Sequence, residues 1–244
     1  MGRRATAEGV GTALLVAIVV GSGIAAQRLS PHEMGLELLE NSIATGAGLV
    51  ALILALGPVS GAHFNPVVTL ADRLGGGIST GDGLAYVVAQ VVGACVGAAV
   101  ANLMYGLPAV TWSTHVRSSG ALWLGEIVAT FGLLMVILGI VRRGRAAAVP
   151  YAVGGYIAAA YWFTSSTSFA NPAVAVGRTL TDTFAGIRPS SVPAFVAAEL
   201  VGGLAAIGLA AYLFPTVRTP EVEVPHPAAA PPAAPVAEHR STPT

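Results

Sequence analysis

The chain has 244 residues, with twelve basic against twelve acidic side chains and no net charge; 54% of it is hydrophobic and only 10% charged. An ordinary soluble domain is about a quarter charged, so this chain has too little polar surface to live in water. Its single cysteine, Cys95, excludes an intrachain disulfide and sits in an apolar run as a small packing residue.

Apolar runs of about twenty residues match the roughly 30 Å hydrocarbon core of a bilayer. They are read as spans from Glu8 to Ala26, Glu37 to Leu56, Leu84 to Tyr105, Leu122 to Val141, Ala147 to Thr164 and Pro193 to Phe214. The first run is long enough to span and begins at Glu8, so no cleavable signal is expected. Arg3 and Arg4 precede the first span, and Arg142, Arg143 and Arg145 lie between the fourth and fifth. Arg-rich loops mark the cytoplasmic side, which puts both termini there. Two shorter segments start at Asn65-Pro66 and Asn171-Pro172, where Asn caps a helix and Pro fills its first turn. They are expected to be half-helices. Residues 215–244 turn to Pro and Ala with scattered charges and are expected to be a disordered cytoplasmic tail outside a channel domain of residues 1–214.

The chain repeats itself. Ala85 to Gly93 matches Ala194 to Gly202 position by position, and Ala7 to Thr12 resembles Gly125 to Thr130. Repeat one covers about residues 5–106 and repeat two about 119–214, each with three spans and one Asn-Pro segment. An odd number of spans makes the copies insert with opposite orientation, about a pseudo-two-fold axis in the membrane plane. Inverted half-helices then meet by their N-termini at the midplane, where two positive dipole ends repel cations, hydronium included. The Asn65 and Asn171 amides donate to a passing oxygen, while carbonyls of Gly61, Ala62, His63 and Phe64, and of 166–170, accept along each half of the lumen.

At these residues the chain resembles the aquaporins, or major intrinsic proteins. Ser60 to Thr69 is similar to that family's first pore loop, with Val67 where Ala is usual, and Asn171-Pro172-Ala173 is similar to the second. The resemblance covers about residues 5–214. It implies an all-α integral membrane fold of six transmembrane helices plus two re-entrant half-helices in an inverted repeat. It further implies a homotetramer in the bilayer of a bacterial inner membrane, passing water and small uncharged solutes. Glu8 and Glu126 are then buried acids that hold the loop backbones. Most members have Arg directly after the second motif, where this chain has Val174; the family's gap-free spacing puts the other filter positions at Thr45, Ala159 and Ser168. Such a filter is wide and weakly polar, unless Arg178, one helical turn on, fills the gap. The run from Phe169 to Gly186 resembles a bacterial subgroup associated with arsenic-resistance genes, which implies arsenite or methylated arsenicals as permeants.

Glu8, Glu126 and Glu199 also admit an ion- or proton-coupled secondary transporter with an inverted repeat. Glu199 pairs with Gln90 across the repeat, which favours a structural or tetramer-facing role. His63 is expected as a pore wall or a pH-sensitive gate, and His115 and Arg117 as solvated charges of an outer loop. Glycines 93, 97, 202 and 203 permit close helix approach. No nucleophile and base pair or metal-ligand cluster is visible, so neither enzyme activity, cofactor, metal nor nucleic-acid partner is expected.

Overall fold

The computed structural model describes residues 1–214; the stretch expected to be a disordered tail, 215–244, lies outside the described residues. Among them are eight α-helices: α1 (Gly2–Leu29), α2 (Met34–Ser60), α3 (Pro66–Leu74), α4 (Thr80–Met104), α5 (Gly120–Val141), α6 (Val149–Phe163), α7 (Pro172–Gly177) and α8 (Val192–Leu213). Local chemistry sets their limits. The Ser79 hydroxyl accepts from Asp82 N at 3.1 Å at the start of α4, and Ser119 accepts from Leu122 N at 3.3 Å at the start of α5. At the end of α2, Gly61 turns left-handed with φ 91°.

Four of these helices, α1, α2, α4 and α5, and the segment Pro189–Leu213 that contains α8 are long and apolar enough to cross a membrane. α6 has fifteen residues, about 22 Å at helical rise. The outer face is apolar, and several polar and acidic side chains are buried within. Leu84, Val88, Val92, Val96 and Val100 form an exposed row along α4, whereas Glu8, Gln90, Glu126 and Glu199 are fully buried. Such a surface suits lipid.

α1 packs chiefly on α4 and α2, α5 on α8 and α6, and α2 on α6. The tightest approaches rest on glycine. A Cβ at Gly93 would lie 2.2 Å from the Gly9 carbonyl oxygen of α1, and one at Gly202 would lie 2.3 Å from the Ile127 carbonyl oxygen of α5. Gly93 and Gly202 are partners in the sequence repeat, so the α1–α4 crossing recurs as the α5–α8 crossing. α3 and α7 fit between these pairs, α3 against α4 and α8, α7 against α4, α8 and α1.

Candidate functional site

The backbone leading into each short helix is bent in the same way. Ala62 and Phe64 have φ of 50° and 48° before Asn65; Thr167, Ser168 and Ala170 have 61°, 50° and 49° before Asn171. Left-handed conformations cost a non-glycine residue about 1–2 kcal/mol each, so these loops need support. It comes from two buried carboxylates. Glu8 accepts His63 N at 2.9 Å on Oε1 and Phe64 N at 2.7 Å on Oε2. Glu126 accepts Phe169 N at 2.9 Å and Ala170 N at 2.7 Å in the same manner. Hydrogen bonds to a charged group contribute about 1.5–3 kcal/mol each, enough together to offset the strain. Ser60 Oγ at 2.6 Å and Gln90 Nε2 at 2.8 Å complete the shell of Glu8.

Each asparagine then does two things. Asn65 Oδ1 accepts Val67 N at 2.9 Å, and Asn171 Oδ1 accepts Ala173 N at 3.1 Å and Val174 N at 3.3 Å, capping the short helices. Pro66 and Pro172 follow at the first helical position, where a missing N–H costs nothing. Asn65 Nδ2 donates to the Ala170 carbonyl and Asn171 Nδ2 to the Phe64 carbonyl, both at 2.7 Å. The two N-termini are thus bonded to each other.

A cavity of about 740 Å³ runs past this junction. Gly61, Ala62, His63, Phe64, Asn65 and Asn171 are in its wall, as are Thr45, Ser168 and Val174. Val67 and Ala173 are fully buried behind it. His63 Nδ1 lies 3.1 Å from Thr69 Oγ1, and its Nε2 is 3.6 Å from Asp72 Oδ2. Ala159 departs from expectation: it is exposed on α6, and the wall is made instead by Val153, Ile157 and Tyr161. These stand four apart on one helical face, as do Thr45, Leu49 and Ile53 of α2, and residue 159 falls on the other side. The gap-free spacing carried over from the family missed this; the four-residue stripe ending in a tyrosine was the available signal. The Tyr161 hydroxyl is 3.2 Å from Thr45 Oγ1.

Arg178 also reaches the wall. It is 2% exposed, its guanidinium carbon sits 3.4 Å from the Phe169 ring centroid, and its Nε donates to the Ala185 carbonyl. Arg117, expected as a solvated charge, packs on the same ring at 5.2 Å and donates from Nε to Gly186 O at 3.0 Å. His115 is exposed, 3.7 Å from Asp182. Glu199 is fully buried within the single chain, not on its outer face, and accepts Asn171 N at 2.8 Å.

A family model described as Major intrinsic protein matches residues 1–168, ending just before Asn171. The chain is 54% identical over 216 residues to Aquaglyceroporin AqpS of Rhizobium meliloti, covering 88% of this chain and 92% of that one. It is 31% identical to Probable aquaporin AqpM of Archaeoglobus fulgidus, over 87% and 97% of the two chains. The solved aquaglyceroporin of Plasmodium falciparum shares the fold with a TM-score of 0.66 at 20% identity, over 85% of this chain and 94% of that one.

Proposed function

The chain belongs to the major intrinsic protein family of membrane channels, and from that premise we propose how its pore works and what it passes. It is a channel and not an enzyme, conducting water and small neutral solutes such as glycerol down their gradients. The observation that carries the mechanism is the reciprocal bonding of Asn65 and Asn171 beside the cavity. A primary amide has two hydrogens; one of each is used across the junction, and the other is left for an oxygen in the lumen. The helix ends behind them carry about half an elementary charge each, which repels cations. A water held between two such donors accepts twice, and a proton wire is broken there.

The finer architecture follows from the same premise. α6, extended at its start by the 3₁₀ turn Ala146–Ala148, crosses as a sixth span, while α3 and α7 enter from opposite faces as re-entrant half-helices. Residues of about 5–106 and 119–214 form the two inverted repeats, both termini are cytoplasmic, and the protein is a homotetramer of the bacterial inner membrane. A proton-coupled transporter would need acids in the lumen. Among the described residues the cavity wall holds one carboxylate, Asp72, next to His63, while Glu8 and Glu126 are occupied by loop amides.

The filter consists of Thr45, Ser168 and Val174, with Tyr161 in the place expected for Ala159 and Arg178 set back on Phe169. With Val174 following the second motif, the outer lumen is wide enough for glycerol-sized solutes, undissociated arsenite and methylated arsenicals. Identity to a protein named an aquaglyceroporin supports this size class. Stopped-flow light scattering of proteoliposomes tests it: Val174→Arg should cut glycerol and arsenite flux while water flux persists. Unchanged solute flux would reject the wide filter, and solute movement tied to a proton gradient would reject the passive channel.

A further inference from the structure

Behind the second Asn-Pro loop lie two carboxylates where the first loop has a carboxylate and an amide. Gln90 donates from Nε2 to Glu8 Oε2 at 2.8 Å. Its repeat partner is Glu199, and the register is confirmed by Gly93 and Gly202, three residues on, which meet α1 and α5 alike. Glu199 Oε1 accepts Asn171 N at 2.8 Å. Its Oε2 is buried, with no nitrogen or hydroxyl donor among the described residues, and the carboxyl lies beside that of Glu126, since the two acids take the consecutive amides of Phe169, Ala170 and Asn171. Glu126 in turn holds Phe169 N and Ala170 N on its two oxygens. The charged groups facing Glu199 are Glu126 on α5 and Arg178 beyond α7; α3 adds none to this set.

Two fully buried carboxylates side by side cannot both be ionised without several kcal/mol of repulsion and desolvation. Both oxygens of Glu126 already accept backbone amides, from Phe169 and Ala170, whereas Glu199 Oε2 accepts nothing, so the one proton the pair needs sits on Glu199 Oε2. We infer that Glu199 is held as the neutral acid, donating its proton from Oε2 to Glu126, and that this shared proton positions the second Asn-Pro loop as the Gln90 amide supports the first. Glu199 is therefore a positioning residue. It accepts the Asn171 amide with one oxygen and steadies, with the other, the acid that holds Phe169 and Ala170. Removing the proton sets two anions against each other directly behind Asn171.

The inference rests on the channel reading only for its consequence, since the proton itself is observable without transport. Isotope-edited infrared spectra of the purified protein at neutral pH should show a protonated carboxylic acid carbonyl band that disappears in Glu199→Gln. In that variant the amide donates to Glu126 as Gln90 does to Glu8, so water flux and thermal midpoint should be retained. They should also persist at alkaline pH, where the parent protein loses both. Glu199→Ala, which leaves Asn171 N without an acceptor, should lower the midpoint by about 5–10 °C. No protonated-acid band, a band that survives Glu199→Gln, or equal alkaline sensitivity in parent and Glu199→Gln would overturn the inference. Absence of any solute flux in the parent protein would instead count against the channel reading and leave the infrared result standing.

Discussion

Asn65 and Asn171 bond to each other's loops: each donates from Nδ2 to the carbonyl just before the other asparagine, at 2.7 Å in both directions. The cap and the cross-loop bond use different atoms of one amide, so a substitution removes both together. Asn65→Ala should lose about 1 kcal/mol of capping and leave the buried Ala170 carbonyl unpaired, at a further 1–3 kcal/mol or so. A thermal scan in detergent should show the fall, and water flux in proteoliposomes should drop with it. Asn65→Asp keeps the cap acceptor but loses the donor and adds an anion between two positive helix ends. Its expected signature is a proton or cation leak, read as faster collapse of an imposed pH gradient; a leak no greater than the parent's would refute the proposed exclusion.

Much of this was legible in the residues, for identifiable reasons. Long apolar runs report a helix's solvent and not its partners, so α2, α4, α5 and α8 were readable within four residues of their ends, while α1 begins six residues before the expected Glu8, where the polar turn Gly2 to Thr6 is also helical. Asn followed by Pro is a local capping signal, and it located α3 and α7. Glu8 and Glu126 stood out because acids in apolar runs need partners. What escaped was what depends on three-dimensional juxtaposition. Nothing in Ala62, Phe64 or Ala170 as residue types announces a left-handed backbone, which is held because distant carboxylates collect the amides of His63 and Phe64 and of Phe169 and Ala170. Arg178 on Phe169, and Glu199 against Glu126, are likewise contacts between elements.

The proposal that Tyr161 takes the filter position expected for Ala159 can be tested directly. Ala159 is exposed, while Tyr161 is 3% exposed and reaches Thr45. Ala159→Trp should leave the ratio of glycerol to water flux as in the parent. Tyr161→Ala should raise it by opening the wall opposite Thr45. Should Ala159→Trp block glycerol while Tyr161→Ala does nothing, the assignment of the wall is wrong.

The paired crossings make a prediction with a built-in control. A methyl at Gly93 or Gly202 would meet a backbone carbonyl oxygen at 2.2 or 2.3 Å, and helix backbones cannot yield as a side chain can. Each substitution to Ala should cost about 1–3 kcal/mol or more through forced separation of the helices. Gly208, on α8 with nothing within 4 Å of an added methyl, should instead gain up to about 1 kcal/mol from helix propensity. Thermal midpoints of the three variants should therefore move in opposite directions, and a uniform shift would contradict the packing.

Asp182 ties together two loop segments, and its charge state sets how firmly. Its Oδ1 accepts Thr114 N at 2.8 Å and Thr114 Oγ1 at 2.9 Å. The Thr114 backbone N–H, more than any other neighbour, holds the Asp182 carboxyl below the usual carboxylate range, with His115 adding in the same direction. The folded value is depressed, so this tie is fully present above the unfolded value near pH 4 and is lost as pH falls through the folded one. Two neighbouring bonds need no carboxylate: Thr111 N to Leu180 O at 3.0 Å and Ser113 N to Thr179 O at 2.9 Å. Hydrogen exchange should therefore show protection at Thr114 falling below about pH 4 while protection at Thr111 and Ser113 holds, once intrinsic rates are removed. Asp182→Ala should show the low-pH pattern already at neutral pH. Because the carboxyl is exposed, the effect belongs to the loop and should leave the global thermal midpoint nearly unchanged. If Thr114 stays as protected at pH 3 as at pH 7, the carboxylate is not what holds it.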